Sequence, residues 1–287
     1  MNWFEYTLRD GTVVEIGSVV PDGPIRGQLQ IAHGMVEHLG RYETWMKRLA
    51  SKGYYVFGHT MRGHARVGTI QPIERGVTSE TYADDVMEVK RLMEKVDVPY
   101  VLFGHSMGSF VARYLFATEP SIHRVIVAST GTQPTAFLRA GAFIASRRNE
   151  SHDHLLNELS FFGFDRHFQP SRRFSWISRS ETTVEAYRTD PNCGFAPSSA
   201  FFKSLYELID RAQRNERERT TGDVLFLYGT MDPVGHLGND VPALAASYAS
   251  RGIRATLYRV EEGRHELLQE VNVQATYEMI ERWLSYG

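Results

Sequence analysis

The feature that most constrains this chain is a serine flanked by two glycines, each two residues away. Gly104, Ser106 and Gly108 form a G-x-S-x-G pattern. An apolar run at 101–103 precedes it, and a segment with helical spacing at 110–117 follows it. A side chain at either glycine would collide with the neighbouring backbone in a very tight turn, so the pattern predicts a strand that turns directly into a helix. Ser106 then stands clear of the sheet as a candidate nucleophile.

A serine hydroxyl becomes an effective nucleophile when a base takes its proton and an acid orients that base. Asp232 and His265 each come shortly after an apolar run typical of a buried strand. The carboxyl ends of parallel strands meet at one edge of a sheet, which would bring both side chains towards Ser106. The order Ser106, Asp232, His265 is that of the nucleophile, acid and base of α/β-hydrolases. We predict these three as catalytic residues, with Asp240 as the nearest rival acid.

An acyl-transfer site also needs backbone donors for the oxyanion. Met107 would begin the helix after Ser106, so its N–H faces any oxyanion formed there. Met35 follows the third predicted strand, and Gly34 before it allows close approach of the backbone. We therefore predict the N–H groups of Met35 and Met107 as the oxyanion hole.

The remaining chain alternates strands and helices, with one long interruption. Apart from an opening hairpin, this alternation predicts a mostly parallel central sheet with helices on both faces. From 131 to 219 the sequence has helical segments and scattered aromatic residues without a convincing strand. We expect an α/β-hydrolase core at 1–130 and 220–287, with 131–219 as an inserted helical cap. The charged run 211–219 is expected to be the solvated end of a cap helix.

Composition excludes several classes of protein. A length of 287 residues suits one large α/β domain with an insertion, or two small domains. The net charge of −2 gives no reason to expect nucleic acid or strong attraction to anionic membranes. The sequence has neither an apolar run of membrane-spanning length nor a signal-peptide pattern. Cys193, the single cysteine, excludes an internal disulfide and is expected to be a packed thiol in a cytoplasmic protein.

Several motifs across the chain share one resemblance. They are His33 to His38 with Arg41 and Tyr42, Arg62 to His64, Gly104 to Gly108, Asp232 with Pro233, and Arg264 to Glu266. Together they resemble the monoacylglycerol lipase and lysophospholipase branch of the α/β-hydrolases, also called serine aminopeptidase-like hydrolases. The H-G-x-x-E-H-x-x-R-Y block is much more specific than G-x-S-x-G alone. The resemblance implies hydrolysis of monoacyl lipid esters, with no metal or organic cofactor.

One loop departs from the pattern of that family. The family usually has D-x-R-G-H-G-x-S, whereas this chain has Thr60, Ala65 and Val67 in place of the aspartate, the last glycine and the serine. The change bears on the hydrogen bonding of this loop and on pocket shape. The three predicted catalytic residues are unaffected.

Other residues near these motifs also have a structural interpretation. We expect His38, Arg41, Arg62 and His64 to be buried polar groups that fix the loops around the oxyanion site, and Glu37 to pair with an arginine. A set of cap aromatic residues is expected to form mainly the core of the cap, with only some facing the pocket: Phe161, Phe162, Phe164, Phe168 and Trp176.

The leading hypothesis is a carboxylic-ester hydrolase that cleaves esters of single-chain lipids through an acyl-enzyme on Ser106. An aminopeptidase or amidase would use the same three residues, but it needs acidic groups for a free amine, which the sequence does not place. A binding protein of this fold without catalysis ranks last, because all three residues are present. A dehalogenase or epoxide hydrolase is excluded, since either needs aspartate at position 106. The oligomeric state is left open.

Overall fold

The computed structural model describes residues 1–68, 70–73, 77–168 and 172–286. Within these ranges eight strands form a single sheet. They are β1 (Asn2–Thr7), β2 (Val13–Val19), β3 (Gly27–Ala32), β4 (Tyr54–His59), β5 (Tyr100–His105), β6 (Arg124–Ala128), β7 (Asp223–Gly229) and β8 (Arg254–Val260). Their order is β1-β2-β4-β3-β5-β6-β7-β8, antiparallel from β1 to β4 and parallel from there onward. The predicted hairpin and mostly parallel sheet are confirmed.

Helices cover both faces of this sheet. They are α1 (Glu43–Ser51), α2 (Ser79–Met93), α3 (Met107–Thr118), α4 (Thr135–Ser146), α5 (His154–Ser160), α6 (Glu181–Thr189), α7 (Ser199–Asn215), α8 (Asp240–Ser250) and α9 (Val273–Ser285). Side chains alternate along a strand, so neighbours in β7 pack on opposite faces. Val224 and Phe226 join the apolar cluster formed with α3, α7 and α8. Leu225 and Leu227 join the cluster formed with α1 and α9.

The described residues between β6 and β7 contain α4 to α7 and short helical turns, but no strand. Helix α7 packs against both α3 and α4, and so joins this segment to the sheet-covering layer. We keep 131–219 as the proposed extent of the cap. No helix in the described ranges is both long enough and apolar enough to cross a bilayer.

Two predictions made from the sequence are wrong at the end of a helix. The spacing of Tyr82, Val86, Val89 and Val96 predicts one helix, but α2 ends at Met93 and Val96 is 84% exposed. The charged run 211–219 is not entirely solvated. Glu216 follows α7 directly and is buried, because it accepts hydrogen bonds from the fully buried guanidinium of Arg113. An unpaired buried charge is costly, so the arginine fixes where this acid lies.

Candidate active site

Ser106 lies at the junction of β5 and α3 with φ +52° and ψ −118°. A Cβ at Gly104 would lie 2.1 Å from the carbonyl oxygen of Gly108. A Cβ at Gly108 would lie 2.0 Å from the carbonyl oxygen of Ala32. Both positions therefore accept only glycine without a backbone shift. The predicted strand–turn–helix is confirmed, and Ser106 is held in the strained backbone conformation expected of a nucleophile at such a turn.

Asp232 and His265 come together although 33 residues separate them. Asp232 follows β7 and His265 follows β8, and Nδ1 of the imidazole lies 3.0 Å from each carboxylate oxygen. Both side chains are buried. Asp232 also accepts the N–H of Val234 at 3.0 Å, so it caps the short helical turn that follows. Asp240 instead lies 2.8 Å from the ring of His236, away from His265.

The loop that carries His265 packs against the turn at Ser106 and against Trp176. The ring of His105, the residue before Ser106, lies 4.8 Å from the His265 ring, and the Trp176 ring lies 4.7 Å from it. The hydroxyl of Ser129 donates to the carbonyl oxygen of His265. Among the described residues no hydrogen bond joins the Ser106 hydroxyl to the His265 ring. Such a bond is commonly long without substrate and tightens in the complex.

The loop after β3 lies beside Ser106. A Cβ at Gly34 would lie 3.2 Å from Cβ of Ser106. The N–H of Gly34 donates to Glu37 and the N–H of Val36 donates to His64. Between them, the N–H of Met35 has no acceptor among the described residues, and neither has that of Met107 at the start of α3. The N–H groups of Met35 and Met107, one in the loop after β3 and one directly after Ser106, are thus without a protein acceptor in the described part of the chain.

Two neutral histidines hold this loop in place. Burial lowers the pKa of His33 to about 4 and the pKa of His64 to about 3, so both rings are uncharged near neutral pH. Nε2 of His64 accepts the N–H of Val36 at 2.9 Å, and Nε2 of His33 accepts the N–H of Met61 at 2.8 Å. His64 thus holds the loop after β3 as expected, although its side chain is half-buried rather than buried.

Glu37 is the centre of a buried polar cluster behind the site. Its Oε1 accepts the N–H of Gly34 at 2.6 Å and the hydroxyl of Tyr42 at 2.7 Å, and lies 3.0 Å from Nδ1 of His105. Burial alone would raise the pKa of Glu37, but His105 and Arg41 outweigh it and hold the pKa well below its ordinary value. Burial would likewise lower the pKa of His105, yet Glu37 raises it. Each of the two residues therefore favours the charged form of the other.

Arg41 extends this cluster to the loop that carries His265. Its guanidinium lies 2.9 Å from Oε2 of Glu37 and forms a bidentate pair with Glu266, the residue after His265. The predicted pairing of Glu37 with an arginine is confirmed. The cluster joins the loop after β3, the turn at Ser106 (through His105) and the loop after β8. One set of charges thus orients all three elements of the site.

Arg62 and His38, which belong to the same sequence motifs, contact parts of the chain outside this cluster. Arg62 forms a buried bidentate pair with Asp85 of α2. His38 lies 2.9 Å from Asp190 of the cap, next to the buried Cys193. Ligand atoms of these last three side chains lie within 4.8 Å of one another. Burial raises the pKa of the Cys193 thiol, so the group fits a packed polar cluster better than a metal site.

Cap aromatic residues separate into an inner and an outer set. Phe161 and Phe164 pack on Trp176 with ring centroids 5.5 and 5.1 Å away, and Trp176 contacts His265. Phe162 points away and is 68% exposed. Phe161, Phe164 and Trp176 therefore form an apolar surface that reaches the imidazole of His265, whereas Phe162 does not contribute to it.

The chain is similar to known proteins over most of its length. Residues 23–272 match the family described as serine aminopeptidase, S33. Mouse monoglyceride lipase is 26% identical over 281 residues, which cover 93% of this chain and 84% of that protein.

Solved structures share the fold over nearly the whole chain. A carboxyl esterase from Bacillus coagulans, in complex with glycerol, has a TM-score of 0.86 at 22% identity. The match covers 99% of this chain and 97% of the esterase chain. A monoacylglycerol lipase from Paleococcus ferrophilus has a TM-score of 0.70 at 22% identity. The match covers 94% of this chain and 98% of the lipase chain. The chain therefore belongs to the serine aminopeptidase (S33) family of α/β-hydrolases and is a carboxylic-ester hydrolase.

Proposed function

We propose that this chain hydrolyses esters of single-chain lipids, such as monoacylglycerols or lysophospholipids, through an acyl-enzyme on Ser106. The observation that carries the proposal is the convergence of three features at one edge of the sheet. These are the strained Ser106, the Asp232–His265 pair, and the N–H groups of Met35 and Met107, for which the described residues offer no acceptor.

The proposed reaction follows from these positions. His265 takes the proton of Ser106 as its oxygen attacks the ester carbonyl, and Asp232 stabilises the imidazolium that forms. The N–H groups of Met35 and Met107 donate to the oxyanion of the tetrahedral intermediate. The alcohol leaves with the proton from His265. Water, activated by the same imidazole, then attacks the acyl-enzyme, releases the fatty acid and restores Ser106.

Apolar surface beside the imidazole supports a lipid substrate. Trp176 contacts the His265 ring, and Phe161 and Phe164 pack behind it. Each methylene buried by such a surface contributes roughly 0.8 kcal/mol, so one acyl chain supplies much of the binding free energy. The names of the relatives, monoglyceride lipase and monoacylglycerol lipase, point to the same class. Triacylglycerol would be too bulky for a site enclosed by the cap.

Charge near the site supports ester rather than aminopeptide substrates. An aminopeptidase needs an acidic group that is free to bind the substrate amine. Asp232 is committed to His265, and two further acids close to the site, Glu37 and Glu266, are both already paired with Arg41. Neither carboxylate is available to a second cation without loss of that pairing.

A substrate panel tests this proposal. We expect kcat/KM to rise with acyl length from acetyl to at least medium-chain monoacylglycerols, because added methylenes are buried against the cap. Ser106→Ala is the matched control and should be inactive throughout. A flat or falling dependence on acyl length would reject the single-chain lipid. Faster cleavage of aminoacyl anilides than of every ester would favour the aminopeptidase.

A further inference from the structure

Val36, the residue after the proposed donor Met35, has an unusual backbone conformation. Its φ is +54°, in the left-handed region that β-branched residues rarely adopt. Its side chain is buried against the cap aromatic residues. A strained conformation persists only where the surroundings hold it.

Three hydrogen bonds hold the backbone of Val36. His64 accepts its N–H, as described above. Its carbonyl oxygen accepts the N–H of Gly194 at 2.9 Å and the hydroxyl of Tyr187 at 3.0 Å. Gly194 and Tyr187 belong to the cap, so the cap supplies both bonds to the carbonyl. Tyr187 is itself buried, so its hydroxyl is kept from water.

The direction of the Met35 N–H depends on both neighbours of Met35. Glu37 fixes Gly34 on one side through the 2.6 Å bond from the Gly34 N–H. Val36 fixes the other side. If Val36 relaxed to a negative φ, the backbone from 34 to 36 would turn and the direction of the Met35 N–H would change.

We infer that Tyr187 is a positioning residue that, with Gly194, clamps Val36 in its left-handed conformation and so aims the Met35 N–H at the oxyanion. This inference rests on the proposed function, because it assigns Met35 to the oxyanion hole. The cap then completes the catalytic geometry in addition to binding the acyl chain.

Tyr187→Phe is the informative change. It removes the hydroxyl but keeps the ring, over which the Arg41 guanidinium lies 4.8 Å from the centroid. Gly194 is unsuited to the test, since a Cβ there would lie 2.7 Å from the Phe174 ring. Tyr277→Phe is a matched control. The hydroxyl of Tyr277 also donates to a backbone carbonyl at 3.0 Å, that of Leu268, and its side chain is also buried.

We expect Tyr187→Phe to lower kcat for a short, soluble ester about tenfold with KM within about twofold, since removal of a whole oxyanion donor costs more. Tyr277→Phe should change either constant by less than about twofold. Glycine adopts positive φ without strain, so Val36→Gly should remove the need for the clamp. In the Val36→Gly background, Tyr187→Phe should lower kcat by less than about twofold. A double-mutant cycle measures this coupling between the two residues.

Three results would overturn the inference. They are equal effects of Tyr187→Phe and Tyr277→Phe, a raised KM with unchanged kcat, and an undiminished cost of Tyr187→Phe in the Val36→Gly background. If Val36→Gly does not fold, Val36→Asn takes its place, because asparagine tolerates left-handed backbone better than valine. Fluorophosphonate labelling of Ser106 in the wild-type protein distinguishes failure of the proposed function from failure of the inference about Tyr187. Its absence would reject the proposed function, whereas normal labelling with no effect of Tyr187→Phe would reject the clamp alone.

Discussion

His265→Ala is expected to lower kcat by about 10⁴- to 10⁶-fold, the cost of losing the base of a serine–histidine–acid triad. Without the imidazole nothing takes the proton of Ser106, and nothing returns a proton to the leaving alcohol. KM should change little, because the acyl chain binds elsewhere. Steady-state hydrolysis of a soluble ester by the purified variant measures both constants.

His236→Ala is the matched control for this change. His236 also lies against an aspartate, at 2.8 Å from Asp240, but its side chain is half exposed and away from Ser106. It should retain wild-type activity. A His265→Ala variant with more than about a tenth of wild-type kcat would contradict its role as the base.

Asp232→Asn should also be damaging, with kcat about 10³- to 10⁴-fold lower. The amide cannot stabilise an imidazolium, and its NH₂ group favours the wrong tautomer of His265. The fold should survive, because the amide oxygen can still accept the N–H of Val234. The measurement is kcat together with the thermal unfolding midpoint of each variant.

Asp240→Asn discriminates between the two candidate acids. Asp240 accepts hydrogen bonds from the backbone N–H and the hydroxyl of Thr132 and pairs with His236, so its loss should affect stability more than kcat. If Asp240→Asn were damaging to kcat and Asp232→Asn mild, the acid would be wrongly assigned.

Sequence reasoning succeeds here where a local steric requirement leaves few choices. The spacing of Gly104 and Gly108 is dictated by backbone atoms about 2 Å from any added Cβ, so the turn could be predicted from residues alone. The approach of Asp232 to His265 also followed from the rule that parallel strands end at one edge.

Long-range polar pairings were not available from the sequence. The H-G-x-x-E-H-x-x-R-Y block predicts that Glu37 meets an arginine, but not that Arg41 also binds Glu266 or that His105 completes the cluster. The helical period does not specify which residues meet across the sheet. The burial of Glu216 was missed for the same reason, since its partner Arg113 lies on another helix.

The conformation of Val36 is the opposite case, in which local propensity is misleading. A β-branched residue predicts extended backbone. Its positive φ is imposed by His64, Tyr187 and Gly194, which are distant in the sequence. Departure from local preference at this point identifies the backbone beside Met35 as a strained part of the site.

The central claim is that Ser106 is the nucleophile, and covalent labelling tests it most directly. A fluorophosphonate should modify the wild-type protein once, and peptide mass mapping should assign the adduct to Ser106. Ser106→Ala should fold normally and remain unlabelled under the same conditions. A label retained in Ser106→Ala, or a wild-type adduct on another residue, would contradict the account.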